Sequence, residues 1–248
     1  MTILLTNDDG LDAPGLEVLE RILGADHDLW VVAPDREKSG ASHGITLLEG
    51  IKVLQHGDKR FSVRGTPADC INIALQAVLP ISPDFVISGI NKGPNLGTDI
   101  VYSGTCAAAR EASLHNVPSM AASLATLTGP WDYRPAARFI SENLRNLFSL
   151  WTENGFINLN IPPILNPGCV PKMTRPGRRR YLDEMVCFRS PRDGDYWFFQ
   201  PASIESSDEE GTDTRSAMDG EISLSLVNAE PTLAPIAPIH DTMDWRGT

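Results

Sequence analysis

ILLTNDDGLDAPG, residues 3–15, places a strand, a charged turn and a helix start within one short stretch. Ile3, Leu4 and Leu5 form an unbroken apolar run that stops at polar residues and Gly10, the pattern of a buried strand. Pro14 and Gly15 lead into a helix. Between strand and helix lie Asn7, Asp8 and Asp9. Adjacent carboxylates at the end of a buried strand repel one another, and burial disfavours both ionised forms. A cation beside them removes both costs. The plainer alternative is that one Asp caps the following helix while the other is solvated.

The helix after this stretch is predicted over Leu16–Leu23, with Leu16, Leu19, Ile22 and Leu23 on one face and Gly24 at its end. Leu29–Val32 is a second apolar strand, followed by the polar loop REKSGASHG from Arg36 to Gly44. Residues 45–64 alternate loosely, as strands at a sheet edge do. Thr66-Pro67-Ala68-Asp69 is a helix start with a mechanism: Thr66 caps, Pro67 fits the first helical position and Asp69 sits three residues after the cap. That helix is predicted through Val78. A strand at Phe85–Ser88 then gives way to the Gly-rich loop GINKGPNLGTDIVYSG. An Ala-rich helix opens at Ser103 and runs to about Leu114. A strand over Val117–Ala122, a helix from Pro135 to about Trp151 and a strand over Phe156–Ile161 complete the rhythm. Strand and helix in alternation predict an α/β fold, a mostly parallel sheet with helices on both faces, and ligands outside the carboxyl ends of its strands. We assign residues 1–162 to this core.

From residue 163 the composition changes. Prolines break any helix, Lys172, Arg175, Arg178, Arg179 and Arg180 form a basic run, and Glu205, Asp208, Glu209 and Glu210 an acidic one. Met185–Phe188 and Tyr196–Phe199 are predicted to pair as a hairpin, and Glu221–Val227 reads as a final strand. Residues 163–248 are therefore assigned to a C-terminal extension with hairpin, strand and tail. It packs on another subunit or forms a surface subdomain of a monomer.

Composition narrows the function. The chain has 248 residues, 42% hydrophobic and 21% charged, the profile of a globular protein. Its 21 basic and 32 acidic residues give a net charge of −11. That argues against coating a nucleic-acid polymer, which needs a basic face, while a small phosphorylated ligand needs only a local positive site. No apolar run approaches the ~20 residues of a membrane span, and no basic leader precedes the first strand. Cys70, Cys106, Cys169 and Cys187 form no C-x-x-C pair and read as reduced, in a cytoplasmic protein. The five His residues show no metal-ligand spacing, so zinc is not expected.

Three strand ends carry unusual polar groups: Asp8 and Asp9 after the first strand, Ser39 in the loop after the second, and Asn91 after the strand ending at Ser88. Two carboxylates, a hydroxyl and an amide oxygen are hard donors, suited to Mg²⁺, Mn²⁺ or Ca²⁺. The helix opening at Ser103 adds a second element. Its first turn leaves backbone N–H groups free, Ser103 and Thr105 add hydroxyls, Gly104 permits close approach, and Asn95 in the preceding loop offers an amide. A plain Ser cap and a structural turn are the alternatives there. No G-x-G-x-x-G, P-loop or G-x-S-x-G motif is present.

NDDG, VVAPDREKSGASHGIT, GTPADCINIAL, SGINKGPNLGTDIVYSGTCAAAREA and PSMAAS, in this order, resemble the SurE family of metal-dependent 5′-nucleotidases. The resemblance is dense over roughly the first 125 residues and returns at FINLNIP and GTDTRSAMDGEISLSLV. It implies a Rossmann-like three-layer core, one divalent metal ion (Mg²⁺ or Mn²⁺) on Asp8, Asp9, Ser39 and Asn91, and phosphate held by Asn95, Ser103, Gly104 and Thr105. It further implies hydrolysis of nucleoside 5′-monophosphates, with 3′-nucleotides and short polyphosphate as further substrates, and a hairpin used in homodimers or homotetramers. Asp8 or Asp9 then serves as general base, or Asp8 as nucleophile. A rival from another class is a Mg²⁺-binding receiver-like signalling module, which also carries paired acids after its first strand. Such modules need an acid at the end of a middle strand, where this chain reads SGIN.

Overall fold

A computed structural model describes residues 1–129, 131–165 and 168–231; His240 and the tail beyond residue 231 lie outside them. Strand β1 (Thr2–Thr6) and helix α1 (Pro14–Leu23) frame the NDDG turn. The helix starts two residues earlier than predicted because Pro14 occupies its first turn, where a missing N–H costs nothing. Strands β2 (Asp28–Pro34), β3 (Val53–Gly57) and β4 (Arg60–Val63) follow. Helix α2 (Pro67–Ile73) has the predicted capping box. The Thr66 hydroxyl accepts the Asp69 N–H at 3.1 Å, and the Asp69 carboxylate accepts the Thr66 N–H at 2.9 Å. The helix predicted through Val78 instead widens at Ala74–Val78 into a single π-type turn.

Strand β5 (Phe85–Asn91) runs three residues further than predicted. The following loop contains a helical turn, α3 (Asp99–Tyr102), which its Gly-rich composition had hidden. Then come α4 (Gly104–Leu114), β6 (Ser119–Leu124), α5 (Arg134–Leu150) and β7 (Gly155–Ile161). The C-terminal part supplies β8 (Lys172–Thr174), β9 (Arg179–Tyr181), β10 (Glu184–Ser190), β11 (Gly194–Gln200), β12 (Ile204–Ser206), α6 (Asp213–Met218) and β13 (Ser223–Asn228).

Nine strands form one sheet in the order β3-β4-β2-β1-β5-β6-β7-β13-β8, parallel from β4 through β7. Alternation along the strands divides the core. Ile3, Leu5, Ile87, Met120 and Leu159 pack with Leu16, Leu19, Ile140 and Leu144 of α1 and α5. Leu4, Val32 and Val86 face the opposite way, onto Ile71 of α2, Ala74 of the π-type turn, and Ala108 and Ala112 of α4. Each fully buried aliphatic side chain of this kind contributes about 1.5–3 kcal/mol. The result is three layers, with the helices on both faces as the sequence predicts.

The chain leaves the core after β7 and then returns to it. β13 pairs antiparallel with β7, Leu224 opposite Leu159, and β8 pairs parallel with β13. The predicted hairpin is β10–β11, with Cys187 opposite Trp197. It forms a separate two-stranded ladder and leaves Phe188, Trp197 and Phe199 exposed by 61%, 59% and 75%.

Candidate active site at the carboxyl edge of the sheet

β1 is flanked by β2 on one side and β5 on the other, with Thr6 beside Ser88 in the register. The chain turns one way after β1 and the other way at β5, so a crevice opens at their carboxyl ends. The NDDG turn lies there. Asn7 Nδ2 donates to the Gly10 carbonyl at 2.9 Å, and the Gly10 N–H donates back to Asn7 Oδ1 at 3.2 Å. This reciprocal lock fixes the turn that carries Asp8 and Asp9.

Three hydrogen bonds then tie distant segments to the two acids. The Lys38 N–H donates to the Asp8 carbonyl at 2.7 Å, bringing in the loop of Ser39. The Lys92 N–H donates to Asp9 Oδ2 at 3.2 Å, bringing in the end of β5 beside Asn91. Thr105 Oγ1 donates to Asp8 Oδ1 at 2.5 Å, bringing in the first turn of α4. Gly104 is required at this junction. A Cβ there would lie 2.8 Å from Asp8 Cβ and 2.9 Å from Pro67 Cγ. A glycine is also required at position 89, where φ is 138° and a Cβ would meet the Ala122 carbonyl oxygen at 2.2 Å.

The electrostatics match the sequence argument. Asp8 is 4% exposed, and burial raises its pKa against the pull of the Thr105 hydroxyl. Burial, and then the neighbouring charge of Asp8, push Asp9 up to about 6. The donor set fits a hard dication. The Asn91 Nδ2 is taken up by the Gly93 carbonyl at 2.9 Å, and its Oδ1 accepts no hydrogen bond among the described residues. Ser39 donates its hydroxyl proton to Glu37 Oε1 at 2.9 Å and keeps its oxygen lone pairs. Two carboxylates, an amide oxygen and a hydroxyl thus stand on segments drawn together around Asp8.

The phosphate-binding candidates divide. Ser103 Oγ accepts the Cys106 N–H at 3.0 Å as the cap of α4, and its own proton stays available for an oxyanion. Thr105 spends its hydroxyl proton on Asp8, and its backbone lies against the same carboxylate, so this residue positions the acid. Asn95 is buried in a cage of polar side chains that sequence reasoning missed. Its Nδ2 donates to Ser123 Oγ at 2.8 Å, its N–H donates to Asn160 Oδ1 at 2.9 Å, and its carbonyl accepts from Asn158 and Asn160 at 2.8 and 3.1 Å. A signal was present in FINLNIP, where two asparagines alternate with apolar residues inside a fully buried strand.

A second missed element comes from the C-terminal part. Asp213 accepts the Gly97 N–H at 2.8 Å and the Gly177 and Thr214 N–H groups at 2.7 Å each. Arg179 pairs with Asp99, and Tyr181 donates to the same carboxylate at 2.7 Å. The loop bearing Asn95 is therefore held from behind by residues eighty or more positions later in the chain. The assignment of residues 163–248 to an extension gave no sign that Asp213 and Arg179 reach back to this loop.

Comparison with known proteins agrees with the geometry. Residues 3–183 match the family model described as survival protein SurE. The 5′-nucleotidase SurE of Desulforudis audaxviator is 40% identical to this chain over the full length of both. That of Geotalea uraniireducens is 39% identical over 94% of each. The crystal structure of SurE protein from Aquifex aeolicus superposes with a TM-score of 0.79 at 32% identity, covering 94% of this chain and 95% of that one.

Proposed function

The chain belongs to the survival protein SurE family, and from that premise we propose that it hydrolyses nucleoside 5′-monophosphates to nucleoside and phosphate at the β1–β5–α4 edge. The observation that carries this reading is the Thr105–Asp8 hydrogen bond. It joins the paired acids to a helix N-terminus, so a phosphate seated on α4 is presented to them.

A divalent cation, Mg²⁺ or Mn²⁺, on Asp8, Asp9, Ser39 and Asn91 would supply charge neutralisation of the phosphoryl group and a more acidic water. The chain's own groups do the rest. The positive end of α4, with the Gly104 and Thr105 N–H groups that lie against Asp8, and the Ser103 hydroxyl bind the phosphoryl oxygens where negative charge develops. Asn95, locked by its amide cage, fixes the loop that closes the seat. Asp9, the more accessible of the two acids, is placed to take a proton from the attacking water. Asp8, deeper and held by Thr105, orients that pair. The receiver-like alternative is disfavoured, because β5 ends in Ser88, Gly89, Ile90 and Asn91 without an acid.

The test is phosphate release from AMP. Release should stop in EDTA and return with Mn²⁺ or Mg²⁺. Undiminished release in EDTA, or none with any dication, defeats the reading.

Two further points belong to the same proposal. Self-association into a homodimer or homotetramer is supported by the exposed aromatic residues of β10–β11. Phe198→Glu should lower the mass measured by light scattering, and an unchanged mass refutes it. A cytoplasmic location is supported by four free cysteines. No helix among the described residues is long and apolar enough to cross a membrane.

A further inference from the structure

We propose that the cavity beside the phosphate seat is a second anion subsite, in which Lys38, Lys52 and Arg64 bind a further phosphate group of a substrate that carries two. The proposal rests on the nucleotidase reading and assigns that site a substrate preference.

The cavity has a volume of about 400 Å³ and is lined by Arg36, Lys38, Lys52 and Arg64, with Thr46 and one carboxylate, Glu49. A smaller cavity of about 190 Å³ next to it shares Arg36, Lys52 and Arg64. In a chain of net charge −11, four cations on one concave surface oppose the overall balance. Lys38, Lys52 and Arg64 form no ion pair among the described residues, and Arg36 has only Asp35, at 4.0 Å. The Arg64 N–H donates to the Lys52 carbonyl at 2.8 Å, which holds these two cationic residues on adjacent segments.

The position is as informative as the charge. The Lys38 N–H is bound to the Asp8 carbonyl, so one wall of the cavity is attached to the paired acids. Thr66, at the other wall, precedes Pro67, whose ring lies 2.9 Å from the point where Gly104 lacks a Cβ; Asp8 Cβ lies 2.8 Å from that same point. The cavity therefore adjoins the junction of the acids and α4. No aromatic side chain lines it, so it offers a nucleobase no stacking surface. Lys and Arg supply donors and positive charge only, which suits a phosphate dianion. The second phosphate can reside on the ribose or further along a phosphate chain, and both present the same chemistry.

The experiment compares kcat/KM for AMP, adenosine 3′,5′-bisphosphate and tripolyphosphate, for the wild type and for the Lys52→Ala/Arg64→Ala double variant, with Mn²⁺. All three cations outside Lys38 are exposed, so the double variant should keep its fold and its AMP turnover. We expect kcat/KM to fall by on the order of tenfold, the loss of one charge-assisted hydrogen bond, for at least one doubly phosphorylated substrate relative to AMP. A selective fall for the bisphosphate identifies a ribose-borne group, and one for tripolyphosphate identifies a phosphate chain. Equal falls for all three substrates, or none, overturn the subsite. A binding readout separates this failure from that of the nucleotidase reading: at least one of adenosine 3′,5′-bisphosphate and tripolyphosphate should raise the melting temperature of the wild type by more than that of the double variant. If the wild type releases phosphate from nothing yet shows this difference, the nucleotidase reading fails and the subsite stands. If the difference is also absent, the subsite fails.

Discussion

Two regions of this molecule bury aspartate, and they do so differently. At the end of β1, Asp8 and Asp9 sit side by side: Asp8 takes the Thr105 hydroxyl with the Gly104 and Thr105 backbone beside it, and Asp9 takes the Lys92 N–H alone among the described residues. At the start of α6, Asp213 is fully buried and both its oxygens are filled by three backbone N–H groups. Burial raises the pKa in both places, so the direction of the shift does not separate them. The count of free lone pairs does. A carboxylate saturated by its own backbone is an internal staple. A pair of carboxylates left short of donors and beside like charge is an invitation to a cation.

The sharpest way to break this contrast is substitution at Asp8. Asp8→Asn should lower phosphate release from AMP by about 10²–10³-fold, the range seen for losing a principal charge-stabilising group, while the protein stays folded. A variant within tenfold of wild type would make Asp8 a staple like Asp213. Asp213→Ala should have the opposite profile, acting first on stability. Three buried N–H groups lose their acceptor, at about 1–3 kcal/mol each, so urea unfolding should show a loss of about 3 kcal/mol or more. Asp213→Asn keeps an oxygen for the Gly177 and Thr214 N–H groups and opposes the Gly97 N–H with an amide. It should therefore raise KM for AMP, through the Asn95 loop, more than it lowers the melting temperature.

The contrast is sharpened further by pH. Asp9 holds its proton more tightly in the folded chain than in the unfolded one, where its pKa is about 4. Ionising it between about pH 4 and about pH 6 therefore costs stability as pH rises. Without metal, Asp9→Asn should melt above wild type at pH 7.5, and the gap should close as pH falls toward 4. A variant that melts below wild type at pH 7.5 would show Asp9 to be satisfied without a cation. The smallest expected effect lies at a carboxylate used as a cap: Thr66→Ala should cost about 1 kcal/mol, because Asp69 keeps its bonds to Thr46 while one N–H of α2 loses its acceptor.

The parts of this design visible in the sequence are those written locally. An apolar run followed by NDDG, a Thr-Pro-x-Asp cap and an Ala-rich helix behind Ser103 each specify their structure within a few residues, and each was found close to its predicted position. The alternation of strand and helix predicted the parallel sheet but not its strand order, and it is that order that brings Asp8, Asp9 and Asn91 to adjacent ends. What stayed hidden depends on long separations. The Asn95 cage needs β6 and β7 beside one another, and the Asp213 staple needs a segment from the far end of the chain. Helix α3 was masked by glycines that serve the loop's path, and β8, β9 and β12 are too short to show a period.

The return of β13 has a consequence for how the molecule is made. The core strands through β7 emerge first, yet the strand that covers the edge of β7 follows only after about sixty further residues. At synthesis rates of about 5–20 residues per second, that edge stays open on the ribosome for about 3–12 s. During this interval Phe156, Ile157 and Leu159 belong to a strand with unpaired backbone groups, a template for association with another nascent chain. Production of this protein is therefore most vulnerable late in translation, and chaperone demand should track ribosome pausing between codons 162 and 223.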